Sequence, residues 1–164
     1  MPSDPTAPSP PLRPAAVLNL LATGGLDEAL YSADDVRQWV ANAETMLADA
    51  RRPEVSTHSA FILTYEAFYS LALAVLMHHR VRAREGRGHR ATPGQLMVPL
   101  LDLEAALPGA GKVIVQAQTN RNTSTYERPF PPVSRRQVAD LLRVVEAALP
   151  RARALLGLPG QEKS

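Results

Sequence analysis

From Ser56 the chain reads as one helix to about Arg84, and its centre, Ala72 to Met77, is apolar on every side. A helix with no polar face must be enclosed by other elements, so this stretch calls for a body built around it. The flanking sequence offers helices to do so. Ala and Leu dominate the composition, aromatics are 5% and β-branched residues are few, which favours helix over strand. The expected fold is all-α, an up-and-down four-helix bundle with short extra helices. A chain of 164 residues with 45% apolar content suffices for one domain of that kind.

The rest of the chain divides at its breakers. Residues 1–14, MPSDPTAPSPPLRP, have little to bury and read as a disordered Pro-rich tail or a strap ordered against a partner. The single domain is expected over 15–156, with a polar tail over 157–164. Ala15 to Ala22 suits a short helix stopped at Gly24-Gly25. Ser32 caps a helix to about Arg51, with Val36, Trp39, Val40, Ala43, Met46, Leu47 and Ala50 on one face. Glu85-Gly86-Arg87-Gly88 ends the central helix. Thr92 and Pro93 open a third helix reaching Leu107, bent or delayed by Pro99. Lys112 to about Tyr126 forms a fourth, although Val113-Ile114-Val115 also suits a strand. Ser134 caps a last helix to about Leu156, kinked at Pro150.

Several classes of chemistry find no support in the residues. Cysteine is absent, which removes disulfides, thiolate metal sites and cysteine nucleophiles and fits a reducing cytoplasm. There is no G-x-G-x-x-G, P-loop, H-E-x-x-H or serine elbow. His58, His78, His79 and His89 have no two at i,i+4 and no matching acid, so no metal or cofactor is expected. No apolar run reaches bilayer length and no secretory leader is visible, so no membrane partner is expected.

Net charge is only +2, yet arginine outnumbers lysine sixteen to two. Arg80, Arg82, Arg84, Arg87 and Arg90, with His89 among them, crowd into eleven residues. Such a cluster can hold phosphate, and it equally reads as a solvated loop. A second polar concentration runs from Gln116 to Pro132, QAQTNRNTSTYERPFPP. On a helix Asn122 and Tyr126 sit one turn apart, as do Gln118 and Asn122, and Arg121 and Thr125. Together they form a polar patch that could also serve simply to satisfy helix-end carbonyls.

The central helix THSAFILTYEAFYSLALAVLMHHRVRAREGRGHR, the later RNTSTYERP and the closing amphipathic helix resemble the HEPN family over roughly Asp34 to Leu156. Active members cut RNA without a metal, with an Arg and a His meeting across a homodimer. The resemblance implies Arg121 as the phosphate-gripping group and Asn122 as its support, with Arg128 and the Arg80–Arg90 cluster contacting nucleic acid. The His does not carry over, because position 126 is Tyr. A phenol with a pKa of about 10 can donate a proton or hold a phosphate but is a poor general base. Glu127 beside arginines suits a charge partner better than a base, and His89 is the remaining imidazole within the basic loop. The resemblance therefore implies a homodimeric RNA-binding or adaptor module of a toxin or defence system. A nucleotidyltransferase-type protein partner is implied as well. A metal-independent ribonuclease using Arg121 and Tyr126 and a plain helical interaction module stand as alternatives.

Overall fold

The computed structural model describes residues 8–86, 91–122 and 133–160. In order, its elements there are α1 Ala15–Thr23, β1 Leu26–Glu28, α2 Ala33–Ala50, α3 Thr57–His78, β2 Val81–Ala83, α4 Ala91–Leu100, α5 Leu103–Ala106, α6 Ala110–Asn122 and α7 Arg135–Leu155. The expected predominance of helix is present.

The enclosed helix is α3. Its N-terminus is capped by Ser56, whose Oγ accepts from the Ser59 amide at 3.1 Å. Along it Ala67, Leu71, Ala74 and Val75 are fully buried. Helices α2, α4, α6 and α7 all contact it, α2 most extensively. Amphipathic periodicity dictates what each supplies. Helix α2 contributes Val36, Val40, Ala43, Leu47 and Ala50, and α7 contributes Val138, Leu141, Val144, Val145, Ala148, Leu149 and Ala152. Burying a side chain such as Leu71 stabilises by about 1.5–3 kcal/mol.

Polar groups fix how these helices begin and sit. Ser32 Oγ accepts from the Asp35 amide at 3.2 Å and starts α2. At α7 the capping is reciprocal: Ser134 Oγ accepts from the Gln137 amide, and Gln137 Oε1 accepts from the Ser134 amide. Ser70 Oγ donates to the Trp39 carbonyl at 2.8 Å, which joins α3 to α2. Arg51 pairs with Glu146 at 2.6 Å and Arg153 pairs with Glu44, lacing α2 to α7. Helix α7 continues through Pro150, which lies at an exposed position.

Three expectations change. First, the central helix stops at His78, six residues before Arg84. Arg80 takes a left-handed conformation with φ 56°, and its amide donates back to the Met77 carbonyl at 2.9 Å. This closes the helix as a glycine would, without one. Second, the segment beyond becomes β2, which pairs antiparallel with β1 in the register Leu26–Ala83, Asp27–Arg82 and Glu28–Val81. Leu26 and Val81 point inward, onto Val17, Leu76 and Leu96. Third, the expected helix through Leu107 breaks into α4 and α5 at Leu101-Asp102, where Asp102 has φ 50°.

The membrane reading also needs qualifying. Although no uninterrupted apolar run is long, α3 as a whole has the length and mean hydropathy of a bilayer-crossing helix. Two thirds of that apolar window is buried within the protein, as enclosure requires.

Candidate functional site

Helix α6 is described as far as Asn122, and Arg121 lies in the last described turn. The guanidinium turns onto α3. Nε and one terminal nitrogen of Arg121 donate to Glu66 Oε1 at 3.3 and 3.1 Å. Both side chains are largely buried, with 20% of Arg121 and 29% of Glu66 exposed. A charge-assisted contact at that depth is stronger than a surface ion pair. It fastens the end of α6 to the N-terminal half of α3. Asn122 is exposed. Tyr126 and Arg128 lie outside the described residues, as do Arg87, His89 and Arg90.

Gln118 shares this patch by helical spacing, yet it faces inward. It is 6% exposed, and its Nε2 donates to the Ala91 carbonyl at 2.9 Å. It therefore ties α6 to the start of α4. Gly94 makes room for it: a Cβ there would stand 2.7 Å from Gln118 Nε2.

The described part of the arginine cluster lies at the other end of α3. Glu66 and His78 are twelve residues apart, about 18 Å along the axis at 1.5 Å per residue. Arg80, Arg82 and Arg84 follow beyond that point, so the structure does not gather them around Arg121. Arg84 donates to Asp27 Oδ1 from Nε at 2.9 Å and from a terminal nitrogen at 2.7 Å. Arg80 donates to the Pro8 carbonyl at 2.5 Å and lies over the Tyr31 ring at 5.7 Å. Arg82 projects into solvent from the ribbon.

A residue that sequence reasoning missed organises this end. Arg13 donates from Nε to the His79 carbonyl at 3.0 Å and from a terminal nitrogen to the Arg80 carbonyl at 3.2 Å. It also grips Glu28 with two nitrogens, at 2.7 and 2.5 Å. The pairing raises the Arg13 pKa, and the hydrogen bond from Arg13 lowers that of Glu28. A proline-rich setting masked its role, since nothing in PLRP announces an anchor.

Beneath Arg13 sits His79, only 4% exposed, with neither ring nitrogen hydrogen-bonded. Burial, with positive charge on His78 and Arg13 adding to it, pushes its pKa down to about 4. His78 meets it edge-on at 5.1 Å and is itself shifted down by burial. The pair is therefore neutral at pH 7 and suited to packing. No group of three or more His, Cys, Asp or Glu residues converges on a metal-sized site among the described residues.

At the turn into α6, Glu104 accepts the amides of Gly109 and Gly111, each at 2.8 Å. Those two bonds hold its carboxyl below the usual range. The role is structural, starting α6 at a fixed place. Comparison with known proteins found no matching family model, no matching curated protein and no matching solved structure.

Proposed function

We propose that this protein is a non-catalytic, HEPN-like adaptor. It is an up-and-down bundle of four main helices that self-associates as a homodimer and binds a protein partner of the nucleotidyltransferase type. One observation carries the choice of adaptor over ribonuclease. The Arg121 guanidinium, which a cleavage mechanism needs at the phosphate, is already engaged by Glu66 of its own fold. Releasing it would break a largely buried charge pair, a costly exchange. The second reason is chemical: the position at which the family places its imidazole is Tyr126, and a phenol already carries its proton at neutral pH and so is a poor general base.

The test is incubation of the purified protein and its Arg121→Ala variant with total RNA, beside sedimentation of both. The adaptor reading expects no metal-independent cleavage by either and a dimer for the wild type. Cleavage by the wild type that disappears in Arg121→Ala would overturn it in favour of the ribonuclease. A monomer at all concentrations would remove the dimer.

A further inference from the structure

Between α3, α6 and α7 lies an open cleft of about 230 Å³. It is separate from the Arg121–Glu66 contact. Phe61 forms part of its wall and is itself 1% exposed, with Val113 and Ala117 beside it. The i,i+4 spacing of α6 sets a row of polar groups along one edge, Lys112, Gln116 and Asn120. Gln116 Nε2 donates to Asn120 Oδ1 at 3.1 Å, which holds those two amides in place. Across from them α7 presents Asp140.

Asp140 is half-buried beside this apolar wall, and among the described residues it has no ion pair or hydrogen bond from its side chain. Lys112, on the opposite edge, has none either. Partly burying a carboxylate beside apolar surface without a partner is unfavourable. The cleft thus combines an apolar floor with one unpaired anion and one unpaired cation on separate helices. A ligand complementary to all three carries both charges on a small head and an apolar body.

We propose that this cleft binds a free α-amino acid with an apolar or aromatic side chain. The ligand's ammonium meets Asp140, its carboxylate meets Lys112, and its side chain lies against Phe61 and Val113. This places no demand on the adaptor reading, since neither Lys112 nor Asp140 takes part in it.

Titration calorimetry and thermal shift of the full chain against millimolar L-phenylalanine, L-leucine and L-methionine test the proposal. At least one should bind saturably and raise the melting temperature. Phenylpropionate lacks the ammonium and phenethylamine lacks the carboxylate, so each should bind at least about tenfold more weakly than L-phenylalanine, if that is the ligand bound. Asp140→Asn and Lys112→Ala change rim positions and should leave the ligand-free melting temperature within a degree or two. Each should cost about tenfold in affinity. The proposal is overturned if none of the three amino acids binds. It is equally overturned if the single-charge analogues match L-phenylalanine, or if both variants bind as the wild type does.

Discussion

Taking the protein from pH 7 to pH 4 should remove about 3 kcal/mol of its stability through one side chain. In the unfolded chain His79 titrates at its ordinary value, 6.5, and in the fold it titrates at about 4. The unfolded state therefore binds the extra proton first as pH falls. Stability is full above 6.5, declines through the window between 6.5 and about 4, and levels off below it. At 1.36 kcal/mol per pH unit, the difference between the two values sets a ceiling of about 3 kcal/mol, with about 2 kcal/mol already lost at pH 5. For a chain of this size that is a fall of roughly 10 °C in melting temperature. The charged and titratable neighbours, Arg13 and His78, oppose protonation and work in the same direction. The assay is urea unfolding followed by circular dichroism at half-unit steps from pH 7.5 to 4, on the wild type and on His79→Phe. Phenylalanine keeps a ring against His78 and removes both unpaired nitrogens. Its stability should be nearly flat from pH 6.5 to 5, leaving only a smaller slope from His78. Parallel curves for the two proteins would refute the reasoning, because they would show that His79 finds a proton acceptor or water in the fold.

Three further outcomes follow from packing and backbone geometry. Leu71→Ala empties a site with no exposed area at the centre of α3 and should cost about 3 kcal/mol in the same urea assay. Gly94→Ala should destabilise by about 1 kcal/mol net, because the displaced Gln118 amide loses the Ala91 carbonyl while alanine gains in helix propensity. Combined with Gln118→Ala, the Gly94→Ala change should become neutral or stabilising, and strict additivity in that cycle would contradict the contact. Asp102→Gly relieves a left-handed residue between α4 and α5 and should raise stability by about 0.5–1 kcal/mol. A loss of stability there would mean the Asp102 side chain supports the turn.

Much of the helical framework was legible because its signals are strong and local. The serines at 32 and 134 cap as expected, the central helix begins beside Ser56, and the apolar faces of α2 and α7 are those the periodicity of Val36–Ala50 and Val138–Leu149 marks. What escaped was the pair of non-glycine stops. Arg80 and Asp102 terminate or divide helices by adopting left-handed backbone, which arginine does not signal in a sequence and aspartate signals only weakly. With α3 read six residues too far, to Arg84, the three-residue strand Val81–Ala83 had no room to be seen, and its partner Leu26–Glu28 is too short for alternation to register. For the candidate site, the helical pattern placed Arg121 and Asn122 on α6, and its expected continuation to Tyr126 lies outside the described residues. It could not tell that Glu66, fifty-five positions earlier, waits for the guanidinium, nor that Gln118 turns inward. Spacing within one helix fixes which side chains are neighbours along it, and only the packing of α6 on α3 and α4 decides what they meet.

The clasp of Arg13 on His79 and Arg80 spans sixty-six and sixty-seven positions of chain. Closing loops that long carries an entropy cost that the local contacts of a helix do not. The proline strap is held there by the polar contacts of Arg13 and Arg80. Detaching the strap breaks those side-chain contacts and leaves the helical ladders whole, so it should occur long before α3 opens, and each detachment uncovers the His79 ring beneath Arg13.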